Sequence, residues 1–180
     1  MTTATTLPSE SAGVRAFVGL GANLGDARAT VRAALDALAR LAAPGSFRAS
    51  SLYVTAPVDS SGPDYVNAVA ELRTALAPHA LLDALQAIEQ RFGRERPYRN
   101  APRTLDLDVL LYDVRGEEGG RVLHDDRLQL PHPRAAQRAF VLAPLAELWP
   151  DGRIPHAGRV IDLLGALEAD PAQRATRLPD

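Results

Sequence analysis

Arg103-Thr104-Leu105-Asp106-Leu107-Asp108-Val109-Leu110-Leu111 (RTLDLDVLL) is the stretch around which the rest of the sequence falls into place. From Leu105 onward, apolar and acidic residues alternate with period two, the mark of a β-strand with two unlike faces. Leu105, Leu107, Val109 and Leu111 are expected on one face. Asp106 and Asp108 share the other, with Cα atoms about 6.5–7 Å apart after two strand rises. Two carboxylates on one face, with no basic residue between them, repel each other. A hard divalent cation removes that repulsion, and oxygen donors of this kind suit Mg²⁺. Two such ions about 3.5–4 Å apart could be bridged by the carboxylates and phosphate oxygens. The same alternation also fits an edge strand with a solvated outer face.

Immediately upstream stand Arg91, Arg94, Arg96, Arg99 and Arg103, opposed only by Glu95. Arginine binds phosphate bidentately and stabilises charge that develops during transfer. Carboxylates for a cation beside arginines for phosphate point to nucleotide chemistry; an arginine run alone also fits a solvated loop. Downstream comes Pro131-His132-Pro133-Arg134, then Arg138 and Phe140. Flanking prolines hold His132 extended, where it could donate to a phosphate or simply occupy a turn. Tyr65 and Asn67, two apart on a strand, suit stacking and edge-reading of a flat heterocycle. They equally suit a core tyrosine and a strand-end amide.

Farther out, residues 14–20 read as a strand ending in the turn-rich GANLGD, with Asp26 as helix N-cap. That loop lacks the spacing of a nucleotide-binding glycine motif. Val31, Ala34, Leu35, Leu38 and Leu41 give a helical stripe that Pro44-Gly45 stops. Strands are expected at 47–55 and 65–76. Pro78 opens a second helix, striped by Leu81, Leu82, Leu85, Ile88 and Phe92, with Gly93 just past its end. Residues 113–121 read as a hairpin connection, Pro144 as the start of a short helix, and 160–167 as a last amphipathic helix. Strand, helix, strand, strand, helix, strand predicts an α/β (α+β) fold: a ferredoxin-like βαββαβ core with an antiparallel sheet and helices packed on it. Residues 1–13, without periodicity, are expected to form a disordered tail before one domain spanning 14–180.

The 180 residues hold 20 basic and 22 acidic side chains, a net charge of −2 that argues against a bulk nucleic-acid binder. Every basic residue is Arg. With 32 Ala this reflects GC-biased coding, so Arg in place of Lys says little at any one site. There is no Cys, hence no disulfide, thiol nucleophile or Cys-based zinc site. No apolar run reaches the roughly 18–20 residues that span a bilayer, and the N-terminus lacks a secretory pattern. A cytoplasmic protein with no nucleic-acid or membrane partner is the expectation.

Taken together, Gly19–Gly25 (GLGANLG), Ser51–Thr55 (SLYVT), Pro63–Asn67 (PDYVN), Pro102–Asp108 (PRTLDLD) and Pro131–Arg134 (PHPR) with Arg138 and Phe140 resemble the 6-hydroxymethyl-7,8-dihydropterin pyrophosphokinase family of the folate pathway. These blocks occur in the family's order, and the resemblance covers residues 14 to about 165. It implies transfer of a pyrophosphoryl group from ATP to the pterin hydroxymethyl oxygen, leaving AMP, by a monomer. It implies two Mg²⁺ ions on Asp106 and Asp108. Arg94, Arg96 and Arg103 match loop arginines that close over ATP, and His132 and Arg138 match phosphate contacts. Gln86, Glu89, Val109 and Arg127 match nucleotide-side positions. Tyr65 and Phe140 match the rings that sandwich the pterin. Asn67, Thr55, Pro57, Val58 and Asp106 complete its pocket. Many members carry Trp-Gly where this chain has Asn100-Ala101, which leaves Tyr98 as the loop's aromatic. From other classes, an RNA-binding sheet would use strand aromatics, which are scarce here at 5%, and a metal-dependent nuclease would use Asp106 and Asp108.

Overall fold

The computed structural model describes residues 13–57, 62–93 and 104–179. The expected tail, apart from Gly13, lies outside these residues. β1 (Val14–Ala22) leads into α1 (Ala27–Ala39), whose N-cap Asp26 accepts a hydrogen bond from the Ala29 backbone N–H at 2.9 Å. β2 (Arg48–Ala49) and β3 (Tyr53–Thr55) follow, then β4 (Tyr65–Thr74) and α2 (Pro78–Arg91), which starts on Pro78 as read. β5 (Asp106–Tyr112) completes the core. The sheet order is β10-β3-β4-β1-β5 with every pairing antiparallel, where β10 (Ala175–Arg177) is the last strand. β4 is thus inserted between β1 and β3, and β1 between β4 and β5. This is the split βαβ arrangement expected from the sequence.

β4 alternates along its length: Val66, Ala68, Ala70 and Leu72 enter the core beneath α1 and α2. α1 buries Val31, Ala34 and Leu38 there, and α2 buries Leu81, Leu85 and Ile88. The opposite face meets α3 (Ala139–Leu148) and α4 (Val160–Leu167) through a second core of Phe17, Val69, Leu110, Leu111, Leu142, Leu145 and Val160. Phe17 stacks on Trp149 with ring centroids 5.3 Å apart. The sheet therefore has helices on both faces, each layer with its own apolar filling.

Four expectations are corrected. Leu111 does not share a face with Leu105, Leu107 and Val109. The β1–β5 register pairs Phe17 with Leu111 and Val18 with Val109, so Leu110 is an extra residue, and both Leu110 and Leu111 enter the α3-side core. The strand expected at 47–55 is two short strands, because Ser50 interrupts the ladder: its Oγ accepts the Val69 N–H at 3.0 Å. Residues 113–121 return the chain only to the end of β5, where the Arg121 N–H donates to the Tyr112 carbonyl at 2.8 Å, and they do not lead into a strand paired with β5. The next strand, β6 (Leu123–His124), pairs with β7 (Gln129–Leu130), and the outer edge of β5 receives the His132 N–H on the Leu110 carbonyl at 2.9 Å. Pro144 lies inside α3 rather than at its start. Its side chain is buried in the apolar packing of that helix, and this burial offsets the backbone hydrogen bond that proline cannot donate.

The far end of α3 is tied to the sheet by Glu147. Its carboxylate accepts from the Ser51 N–H and Ser51 Oγ at 2.9–3.1 Å and from the Tyr53 hydroxyl at 3.0 Å. Burial first, and this carboxylate second, push the Tyr53 hydroxyl up to about 12. Glu147→Ala should cost about 1 kcal/mol, since the pairing is exposed to solvent. It should also lower the Tyr53 titration from about 12 toward, but not to, its ordinary 10.0, because burial persists. Chemical denaturation and a pH titration of the Tyr53 ring resonances check both outcomes.

Candidate functional site

α3 covers only part of its sheet face. Past Phe17 and Val69 the face continues with Gly19, Gly21, Tyr65, Asn67, Asp106 and Asp108, and these line a cavity of about 500 Å³. Its floor is β1. Gly19 pairs with Asp108 and Gly21 with Asp106 across the β1–β5 ladder, while Gly21 also faces Asn67 across the β1–β4 ladder. A Cβ on Gly21 would stand 3.0 Å from Asn67 Oδ1, and one on Gly19 3.3 Å from the Leu110 side chain. Glycine at both positions keeps the floor bare between the carboxylates on one side and the amide on the other.

One wall comes from β4 and β3. Asn67 is buried, and its Nδ2 donates to Thr55 Oγ1 at 2.9 Å. That bond orients the amide and leaves Oδ1 directed toward the floor. Tyr65 lies two residues before it on the same face, half-buried. The opposite wall is the start of α3, where the Arg138 guanidinium carbon sits 5.4 Å from the centre of the Phe140 ring. Val141 and Gln137 extend this wall, and Gln173 joins it from the C-terminal segment.

His132 enters beside β5. Its Nδ1 accepts the Arg134 backbone N–H at 3.2 Å, which assigns the ring proton of the neutral form to Nε2. Burial, then the Arg138 charge, lower the imidazole to about 4 against a smaller opposing pull from Asp106. His132 is thus a neutral donor at physiological pH, in a cavity that also holds Arg134 and Arg138. Asp106 and Asp108 are half-exposed on this face. Two carboxylates suit a hard cation. Among the described residues no group of three His, Cys, Asp or Glu side chains could hold a metal, so the remaining ligands of any cation here would be water and substrate oxygens.

Of the residues singled out in the sequence, the cavity brings together Thr55, Tyr65, Asn67, Asp106, Asp108, His132, Arg138 and Phe140. It does not include Val109, whose side chain is in the core beneath α2, on the other face of β5. Glu89 is also turned inward: it is 2% exposed, and its Oε1 accepts the Leu107 N–H at 2.7 Å, which pins the strand between the two aspartates. Gln86 is exposed on α2, and Arg127 pairs with Asp83. Pro57 follows β3, half-buried, outside the cavity lining. Val58, Arg94, Arg96, Tyr98 and Arg103 lie outside the described residues. Sequence reasoning assigned no role to Gly19, Gly21, Gln137 or Gln173. Two glycines at i and i+2 inside an apolar strand were a usable signal for the first pair; nothing local marks the glutamines.

The family model for 7,8-dihydro-6-hydroxymethylpterin-pyrophosphokinase matches residues 17–150. Among curated relatives, the 2-amino-4-hydroxy-6-hydroxymethyldihydropteridine pyrophosphokinase of Pseudomonas aeruginosa is 46% identical over 166 residues, covering 92% of this chain and 97% of that protein. The protein of the same name from Bacillus subtilis is 40% identical over 134 residues, covering 74% of this chain and 77% of its own. Among solved structures, an HPPK-DHPS in complex with substrates superposes with a TM-score of 0.64 at 13% identity, over 86% of this chain and 43% of that one. The wild-type Plasmodium falciparum HPPK-DHPS with SDX-DHP gives 0.65 at 13%, over 88% and 45%. At that identity the likeness concerns the fold, and this chain spans less than half the length of those two.

The His132 environment makes a direct prediction. In the metal-free protein its ring resonances should titrate near pH 4, well below the ordinary 6.5. Because the folded value lies below the unfolded one, the unfolded chain binds the proton more readily in between. Folding stability is therefore lost as pH falls from about 6.5 toward 4. A midpoint near 6.5 by NMR would contradict the buried, neutral assignment.

Proposed function

This chain belongs to the 7,8-dihydro-6-hydroxymethylpterin-pyrophosphokinase family, and we propose that the cavity between β1, β4, β5 and α3 is where that family's reaction takes place. The protein is a pyrophosphokinase that moves a pyrophosphoryl group onto the hydroxymethyl oxygen of 6-hydroxymethyl-7,8-dihydropterin in folate biosynthesis. The donor in our reading is ATP, and AMP departs. The single observation that carries the assignment is the co-location of a carboxylate pair, Asp106 and Asp108, with a ring-and-amide wall, Tyr65, Asn67 and Phe140, around one cavity.

The division of labour follows from residue chemistry. Tyr65 and Phe140 hold the flat pterin by stacking, while Asn67 Oδ1 accepts from its polar edge. Asp106 and Asp108 would hold two Mg²⁺ ions, which when bound neutralise phosphate charge and orient the transferred group. Arg138 and the Nε2–H of His132 contact donor phosphate oxygens, with Arg94, Arg96 and Arg103 of the sequence motif assigned to the remaining charge. Transfer of this kind rests on alignment and charge stabilisation, so no covalent nucleophile is required of the protein. Glu89 acts indirectly, by fixing the β5 backbone between the two aspartates. The chain works as one catalytic unit over 14–180, as a cytoplasmic monomer.

Asp106→Ala and Asp108→Ala should each abolish turnover. The ligand-free melting temperature should stay level or rise, because one of two repelling carboxylates is gone. Near-normal activity at saturating Mg²⁺ would remove the metal assignment, and pterin-dependent ADP in place of AMP would remove the pyrophosphoryl assignment. On the other wall, Phe140→Ala should weaken pterin binding about tenfold, the equivalent of one lost stacking contact. Gly21→Val should do at least as much by filling the floor, with ATP affinity little changed in both. Calorimetry with each ligand separately reads these outcomes.

A further inference from the structure

The wall that carries Phe140 and Arg138 begins abruptly. α3 has Arg138 as its N-cap, in extended conformation, and that side chain makes no capping hydrogen bond. The Arg138 carbonyl already accepts the Val141 and Leu142 N–H groups at 3.0 and 2.9 Å. The first turn of any helix leaves backbone N–H groups without partners inside the helix. Here the Ala139 N–H finds one from far along the chain: Gln173 Oε1 accepts it at 3.0 Å. Ala139 immediately precedes Phe140, so this bond fixes the backbone from which that ring enters the cavity. Gln173 also lines that cavity.

Gln173 is itself held on both sides. It ends a 3-10 turn, Pro171–Gln173, whose N-cap Asp170 accepts the Ala172 N–H at 2.9 Å. Two residues later the chain enters β10, which pairs Ala175 with Thr55, Thr176 with Val54 and Arg177 with Tyr53. The Leu178 N–H then donates to the Leu52 carbonyl at 2.8 Å. The C-terminal segment thus bridges two walls of one cavity: β10 lies along the strand bearing Thr55, and Gln173 reaches across to the helix bearing Phe140. Gln173 stands beyond the stretch that the family model matches, which ends at residue 150.

We propose that Gln173 is a positioning residue for the pterin pocket, setting the Phe140 ring by accepting the Ala139 N–H. The proposal rests on the reading of this cavity as the pterin site. What the position demands is an acceptor oxygen at the reach of a glutamine. Gln173→Leu keeps the bulk and leaves the Ala139 N–H unpaired. Gln173→Glu restores an acceptor, and its charge suits a helix N-terminus.

Steady-state kinetics in both substrates, with Phe140→Ala as the reference variant, tests this. Gln173→Leu should raise the pterin KM about tenfold and leave the ATP KM within about twofold, at a melting temperature close to that of the parent. Gln173→Glu should return the pterin KM to within about threefold of the parent. An unchanged pterin KM in Gln173→Leu, with a raised one in Phe140→Ala, would overturn the proposal and leave the pocket standing. A pterin KM unchanged in both would overturn the pocket itself. Equal rises in Gln173→Leu and Gln173→Glu would show that the acceptor oxygen is not what the site uses. A loss spread over both substrates and matched by a lower melting temperature would reduce Gln173 to a general structural contact.

Discussion

A sheet with helices on both faces must hide two apolar surfaces, and here the second is too large for the helices that cover it. α3 has ten residues and shields the sheet only around Phe17, Val69, Leu110 and Leu111, while α4, with eight, packs on α3. What remains uncovered cannot be apolar without exposing a sticky face. The chain meets this constraint with two glycines, two carboxylates and an amide. The cavity is the unshielded remainder of the sheet, furnished with polar groups, and the strand ladders fix where each group stands.

Much of this is visible in the sequence, because strands convert alternation directly into faces. The period-two pattern of 104–112 places both aspartates on one side, and the pattern of 65–74 does the same for Tyr65 and Asn67. The order of strands and helices then brings those two sides to one surface. Local pattern fails where a single residue breaks a period for a reason located elsewhere. Leu110 bulges because β1 and β5 slip by one residue, and no count along β5 alone reveals it. Ser50 ends a strand by bonding to β4, and Pro144 stays inside a helix because tertiary packing outweighs its lost hydrogen bond. Gln173 is the extreme case. It acts on a residue 34 positions away through one oxygen, and glutamine carries no spacing signature.

Charge at the site is arranged by placement more than by titration. His132 is kept neutral by burial and by Arg138, so it adds a directed N–H without adding to the positive charge of its neighbours. Acidic and basic groups approach the cavity from different elements: the aspartates from β5, Arg134 and Arg138 from the segment leading into α3. A site built this way responds to ligand charge through preset geometry, which is the condition for electrostatic stabilisation of a transferring group.

The two apolar fillings lie on opposite faces of the sheet, and the helix that walls the cavity, α3, stands on only one of them. The layer under α1 and α2 can therefore drift. Conservative exchanges among Val31, Leu38, Leu81 or Leu85 alter thermal endurance while the catalytic face keeps its shape, since changes at separated sites tend to add independently. The α3 layer has no such freedom, because Phe17, Leu110 and Leu142 support the same helix that carries the ligand wall. Over evolutionary time a lineage adapting to heat or cold would write its substitutions on one side of this sheet and leave the other nearly untouched.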